Sequence, residues 1–261
     1  MQQAHDLRAE GAELYELVRV LDRDAWQRPT PFKNWTVNDV IAHLHTTDRV
    51  AHLALTDADE FRAMATRREQ AISSRGSDSA RFELPEGPEL GECWHGYLGE
   101  LCDLLSGVDP RARIPWFGPD MSARMFATAR QMETWAHGQD VYDLLKKPRT
   151  HTDRIKNIAV IGVRTFGWTF ANRGLEIPAV VPYVRLNAPS GATWEWGEPE
   201  TEDRVEGSAV EFCHVVTQGR HVLDTDLTVV GETAKRWMAM AQCFAGGPEE
   251  PPAPGQRVWS E

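Results

Sequence analysis

The sequence lacks a long hydrophobic run. No stretch approaches the roughly eighteen consecutive apolar residues that a membrane-spanning helix requires. The first residues, MQQAHDLRAEGAELYEL, are amphipathic and have neither the basic region nor the apolar region of a signal peptide. We therefore predict a cytoplasmic protein that has no membrane partner.

Basic residues are also scarce. The chain has 28 lysines and arginines against 39 acidic residues, which gives a net charge of −11. This charge repels the phosphate backbone of nucleic acids and the surface of anionic lipids. We expect a small-molecule substrate, no nucleic-acid partner, and a monomer or a homodimer.

Cysteines are few, and no C-x-x-C pair occurs among them: Cys93, Cys102, Cys213 and Cys243. A cytoplasmic chain of this length does not need disulfides, so we predict reduced and buried thiols. Glycine-rich phosphate loops, a G-x-S-x-G elbow and an H-E-x-x-H sequence are absent as well, which removes the commonest short catalytic motifs.

Four amphipathic helices are predicted in the first two-thirds of the chain. Apolar residues recur every three or four positions from Leu7 to Leu21, from Val37 to Ala54, from Leu90 to Val108 and through residues 126–144. Thr36 and Asp39 form a capping-box pattern at the start of the second helix. A long connection over residues 57–88 separates the second helix from the third. A fifth helix over 152–172 is predicted to end before Gly174.

The pattern changes after residue 178. The segments VVPYVRLNAP and TWEWGEP have the composition of strands, and a further strand leads into a helix capped near Ser208. The segment ETAKRWMAMAQCFAGG predicts a final helix, and the proline-rich tail after it should be disordered. We predict an α+β fold with a four-helix bundle over residues 1–176 and a small α+β domain over 177–261.

Three hydrophilic residues, Glu133, His137 and Asp140, interrupt the apolar stripe of the fourth helix. Glu133 and His137 are four residues apart in RQMETWAHGQDVYDLL, so both side chains can reach one point beside the helix. A carboxylate and an imidazole in this arrangement can bind a divalent metal together with a third ligand from a neighbouring helix. His43, at the edge of the second stripe, is our candidate, whereas we expect His45 to face solvent.

Glu133 and His137 also have an interpretation without a metal. A salt bridge from Arg130 or Arg124 could compensate the buried carboxylate of Glu133, and the helical spacing alone leaves both interpretations open. Asp140 lies one turn further along the same face. It is better placed to orient a ligand histidine than to serve as a fourth ligand.

Two segments resemble a known family. NWTVNDVIAHL on the second helix and METWAHGQDV on the fourth are similar to the DinB-like metal-binding bundles, and in particular to their mycothiol-dependent maleylpyruvate isomerase-like branch. The resemblance covers most of residues 5–145. It implies that His43, Glu133 and His137 bind one divalent metal, usually zinc. It also implies that an arginine of the second domain helps to hold the substrate. Arg220 is the candidate, and the alternative is a surface arginine at a helix end.

The resemblance implies metal-assisted thiol chemistry with mycothiol or a similar small thiol as cofactor. The thiol would be transferred to an electrophile, or released again after isomerisation. Two histidines and one carboxylate also occur in non-haem iron oxygenases, although usually in β-barrels. A metal-dependent hydrolase and a non-catalytic metal- or ligand-binding module are the remaining alternatives.

Overall fold

In a computed structural model, residues 1–73 and 83–257 are described, without the side chains of residues 69–73. The chain forms two compact units, Met1–Val141 and Tyr142–Glu261. The first consists mainly of helices, and the second combines helices with a four-stranded sheet. The predicted α+β class is thus confirmed.

The N-terminal unit contains the long amphipathic helices. In chain order, its helices are α1 (Gln2–Val18), α2 (Arg23–Trp26), α3 (Val37–Thr56), α4 (Ala58–Ser73), α5 (Pro88–Gly107) and α6 (Ala123–Leu145), of which the last continues past Val141. The four predicted helices correspond to α1, α3, α5 and α6. The long connection predicted over residues 57–88 contains α4. Most of the polar segment of this connection lies outside the described residues. Gly11 allows α1 to approach α5, because a Cβ atom there would clash with Leu98.

A tight turn precedes α3. Lys33 and Asn34 have φ values of 48° and 57°, in the left-handed region that non-glycine residues seldom adopt. The predicted capping box follows and is confirmed: the Thr36 hydroxyl accepts from the Asp39 amide at 3.1 Å, and the Asp39 carboxylate accepts from the Thr36 amide at 2.9 Å. The turn fixes where the chain enters α3 and where Trp35 lies.

A short hairpin leads into α6. Its strands, β1 (Arg113–Trp116) and β2 (Gly118–Ser122), are antiparallel. The Trp116 ring stacks on Phe61 and meets Phe126 edge-on. The amino-acid pattern does not predict this hairpin, because strands of four and five residues are too short to show a clear alternation.

The C-terminal unit is built on a mixed sheet. Its strands β3 (Tyr183–Asn187), β4 (Thr193–Trp196), β5 (Arg204–Ser208) and β6 (Thr228–Val230) have the order β4-β3-β5-β6. The two central strands, β3 and β5, are parallel, and the two outer pairs are antiparallel. Its further helices are α7 (Lys156–Arg164), α8 (Phe166–Ala171), α9 (Ala209–Val216) and α10 (Glu232–Met240).

Several predictions for the C-terminal unit need correction. The helix predicted over 152–172 is a 3-10 turn followed by α7 and α8, which are separated at Thr165. Gly174 does follow α8 with φ 64°, and Ser208 is the N-cap of α9, as predicted. The final helix ends at Met240 rather than at the glycines. The two compact units divide after Val141, and Gly162 of α7 lies against α9, whereas the predicted domain boundary at residue 176 stays a prediction.

The tail is more ordered than predicted. The Glu249 carbonyl oxygen accepts from Gln218 at 2.8 Å, and Arg257 is only 7% exposed beside Asp143. These contacts stabilise residues that the proline-rich composition suggested were disordered, and only residues 258–261 lie outside the description. Cys93 is exposed, contrary to the prediction, whereas the other cysteines are buried. None of the described helices is long and apolar enough to cross a membrane.

Candidate metal centre

Two helices bring the three predicted ligand residues together. His43 of α3 and Glu133 and His137 of α6 each offer one ligand atom, and these atoms lie within 4.8 Å of one another. The Oε2 atom of Glu133 lies 3.4 Å from Nε2 of His43 and 3.7 Å from Nε2 of His137. Residues 90 positions apart thus converge as the helical spacing predicts.

The spacing of these atoms fits a metal ion. Zinc binds nitrogen and oxygen ligands at about 2.0–2.2 Å in a tetrahedral arrangement, so two ligand atoms lie about 3.4 Å apart. The two distances measured from Glu133 are close to that value. All three ligand atoms lie within 4.8 Å of one another, so the side chains would have to move closer together for one ion to contact all three groups.

The protonation states also suit a cation. Burial alone would raise the pKa of Glu133. The hydrogen bond with His43, the charges of the two histidines and Arg130 outweigh burial and lower that pKa to about 2. Burial lowers the pKa of His43, against the hydrogen bond with Glu133. At neutral pH the centre therefore offers a carboxylate and a neutral imidazole, which are the forms that bind metals.

Asp140 lies beside the other nitrogen of His137. Its Oδ2 atom is 3.3 Å from Nδ1, while Nε2 of the same ring faces Glu133. Metal-binding histidines usually donate their second N–H to such an oxygen, which holds the ring in one orientation. This geometry suits the predicted orienting role of Asp140, which stays a prediction.

Two aromatic rings border the candidate ligands. Trp35 stacks on His137 with ring centroids 5.5 Å apart and meets His43 at 5.1 Å. Phe32 meets His137 edge-on at 5.1 Å. The sequence analysis did not single out Phe32, because its place depends on the left-handed turn at Lys33 and Asn34.

Among the described residues, neither arginine of the interpretation without a metal forms an ion pair with Glu133. Arg130 bonds to Asp48 at 2.9 Å instead, and Arg124 is exposed. Within the described chain, Glu133 forms ion-pair contacts with the two histidines. A cluster of one carboxylate and two imidazoles can bind a metal, whereas an arginine that pairs with the carboxylate supplies no ligand atom.

The prediction that His45 faces solvent was wrong. Its exposed fraction is 6%, and its ring meets Tyr97 of α5 edge-on at 5.4 Å. Burial, together with the charge of Arg49, lowers the pKa of His45 to about 4. The rotation per residue around the helix axis correctly places His45 and His43 on different faces of α3. It does not reveal that α5 covers the face that carries His45.

Arg220 is buried in the C-terminal unit. Its Nη2 atom bonds to Asp143 at 2.7 Å and its Nη1 atom to the Gly219 carbonyl at 2.8 Å, with no exposed side-chain surface. The alternative of a surface arginine is therefore wrong. Its role towards a substrate stays a prediction.

Comparison with known proteins identifies relatives of both units. The chain is 44% identical over 244 residues, 93% of its own length and 95% of theirs, to two proteins of Mycobacterium tuberculosis, from strains CDC 1551 and H37Rv, that are described as uncharacterized. A crystal structure of the mycothiol-dependent maleylpyruvate isomerase aligns with a TM-score of 0.49 and 15% identity, over 82% of this chain and 87% of that one. The family described as the mycothiol maleylpyruvate isomerase N-terminal domain matches residues 7–142. That match spans more than half of the 261 residues, and the chain belongs to this family.

Proposed function

We propose that the protein is a metal-dependent enzyme that uses a small thiol such as mycothiol. The enzyme either transfers this thiol to a small electrophilic substrate or uses it to isomerise that substrate. The observation that carries this proposal is the convergence of His43, Glu133 and His137 in a chain of the mycothiol maleylpyruvate isomerase N-terminal domain family. Zinc is the proposed metal because two imidazoles and one carboxylate are common zinc ligands.

Each residue of the centre has a distinct part in this proposal. Glu133 contributes the negative charge, and the two histidines contribute neutral nitrogen ligands. Asp140 holds the His137 ring so that Nε2 faces the centre. When bound, a metal with three protein ligands would supply an open position at which a thiol loses its proton near neutral pH.

The aromatic side chains form an apolar border beside the candidate ligands. Trp35 stacks on His137 and also reaches His43, and Phe32 meets the His137 ring edge-on. An apolar border of this kind lowers the local dielectric and strengthens the interaction between a cation and an anionic sulfur atom. We propose that Arg220 helps to hold an anionic part of the substrate, as the family resemblance implies.

A turnover assay with two substrates tests the proposal. The zinc-loaded protein would be incubated with mycothiol and either maleylpyruvate or 1-chloro-2,4-dinitrobenzene, and both the product and the free thiol would be measured. Isomerisation returns the thiol, whereas transfer consumes one thiol for each product molecule. Metal-stripped protein, Glu133→Gln and a reaction without thiol are the controls.

Turnover that requires both zinc and mycothiol supports the proposal, and the thiol balance assigns the reaction. Hydrolysis of an ester substrate by the zinc-loaded protein without any thiol would instead favour the hydrolase. A fully loaded protein that turns over neither substrate would contradict the proposed activity and favour a metal- or ligand-binding module.

A further inference from the structure

A buried ion pair lies near the candidate metal centre, on the same two helices that carry the candidate ligands. Arg130 of α6 and Asp48 of α3 have exposed side-chain fractions of 3% and 0%, and Nε and Nη2 of Arg130 each lie 2.9 Å from Oδ1 of Asp48. The other oxygen of Asp48 accepts from Nε1 of Trp94 at 3.1 Å. One carboxylate thereby links three helices, because Trp94 belongs to α5.

The ion pair is connected to a candidate ligand through hydrogen bonds. Nη2 of Arg130 donates to the Thr47 hydroxyl at 2.8 Å, and that hydroxyl lies 2.8 Å from the His43 carbonyl oxygen, to which it can donate. On α6, Arg130 lies about one turn before Glu133. The bonded groups therefore join the same two helices that supply all three candidate ligands.

Stability alone does not explain this ion pair. Removing two charges from water costs several kcal/mol, and well-packed apolar residues in the same place often give an equally stable or more stable protein. Directional bonds can fix the register between two helices, a role known for other buried polar groups. A slip of one residue would move a ligand by about 1.5 Å along the helix, whereas a metal site tolerates about 0.5 Å.

We propose that Arg130 and Asp48 are positioning residues that fix the register of α3 against α6 and, through Thr47, hold the backbone of His43. The side chains of His43, Glu133 and His137 then converge on one point. This inference rests on the proposed metal binding. The three residues Arg130, Asp48 and Thr47 act through the ligands and do not themselves contact the metal.

The test compares metal binding in three variants. Asp48→Asn with Arg130→Met removes both charges together, so neither is left buried alone, and the introduced amide can still accept from Trp94. Thr47→Val keeps the ion pair and removes only its link to His43. Leu14→Ala, in the buried face of α1, is the control for lost stability. Zinc affinity would be measured by competition with a chromophoric chelator, and the visible spectrum would be recorded with Co²⁺.

We expect the double variant to bind zinc about 10–100-fold more weakly, as changes to groups that orient metal ligands do. We also expect an altered Co²⁺ spectrum, because the ligand geometry changes. Thr47→Val should show a smaller loss of affinity. Leu14→Ala should retain the wild-type affinity and spectrum in its folded fraction, which separates positioning from stability.

Two results would overturn the inference, and they are distinguishable. Wild-type affinity and an unchanged spectrum in both the double variant and Thr47→Val would contradict the positioning role while leaving metal binding intact. A wild-type protein that binds neither zinc nor Co²⁺ would contradict the proposed function itself, and this inference with it. If the double variant does not fold, Thr47→Val decides the question by the same two readouts.

Discussion

Each unit of the molecule contains a cluster of ionisable side chains, but the two clusters differ in chemistry. In the N-terminal unit, Glu133 faces the imidazoles of His43 and His137. In the C-terminal unit, Asp143 faces two arginines, Arg220 at 2.7 Å and Arg257 at 3.7 Å. Guanidinium groups stay protonated and cannot bind a metal, whereas neutral imidazoles can. The comparison shows that donor chemistry distinguishes a candidate metal site from an ion pair between arginine and a carboxylate.

The largest effect is expected for Asp143→Asn. This change leaves the guanidinium groups of Arg220 and Arg257 without the carboxylate that they share, and breaking a buried pair costs about 3–5 kcal/mol. The free energy of unfolding, measured with urea, should fall by about that amount, while the folded protein keeps its zinc affinity. A loss of zinc binding with unchanged stability would reverse the assigned roles of the two clusters.

Glu133→Gln should give the opposite pattern. The amide has nearly the same shape but lacks the negative charge that attracts a divalent ion. We expect zinc affinity to fall more than about 100-fold, above the range for groups outside the ligand set. The free energy of unfolding of the metal-free protein should change far less than in Asp143→Asn. Chelator competition and urea unfolding on the same samples measure both quantities, and an unaltered zinc affinity would exclude Glu133 as a ligand.

A smaller effect on metal binding is expected for Asp140→Asn. The amide can turn its nitrogen towards Nδ1 of His137 and so favour the wrong orientation or tautomer of the ring. Zinc affinity should fall about 10-fold, less than in Glu133→Gln. The ratio of the two dissociation constants checks this order. A loss equal to that of Glu133→Gln would make Asp140 a ligand in its own right.

The smallest effect is expected for Thr36→Ala, which removes the capping hydroxyl at the start of α3. Loss of an N-cap costs about 1 kcal/mol of stability. Because the cap lies about two turns before His43, zinc affinity of the folded protein should not change. Zinc titration after correction for the unfolded fraction makes the comparison, and a loss of affinity that remains after this correction would mean that the cap also positions the candidate ligand on α3.

Local patterns in the sequence indicated the residues of the candidate centre, although the helical spacing alone left a salt bridge as the alternative. A spacing of four residues aligns Glu133 with His137. The position of His43 at the edge of the apolar stripe of α3 places its side chain near the buried face of that helix. The capping box at Thr36 is equally local, because all its partners lie within three residues. The spacing and the capping box each depend on the geometry of a single helix, whereas the convergence of His43 with Glu133 also requires that α3 and α6 pack together.

Contacts between distant segments could not be predicted in this way. Asp48 and Arg130 are 82 residues apart, and no short pattern indicates that they form a pair. The burial of His45 depends on Tyr97 of another helix. The three-residue strand β6 is defined by its pairing with β5 and not by its own composition.

The most direct test of the metal centre compares two histidines of α3. His43 and His45 are two residues apart, but only His43 faces Glu133, while His45 packs against Tyr97. Zinc per chain would be measured by elemental analysis in the wild type, His43→Ala and His45→Ala after identical reconstitution. We predict about one zinc ion per folded chain in the wild type and in His45→Ala, as expected for one site with three protein ligands, and loss of zinc in His43→Ala. No zinc in the wild type, or equal zinc in the two variants, would contradict the proposed centre.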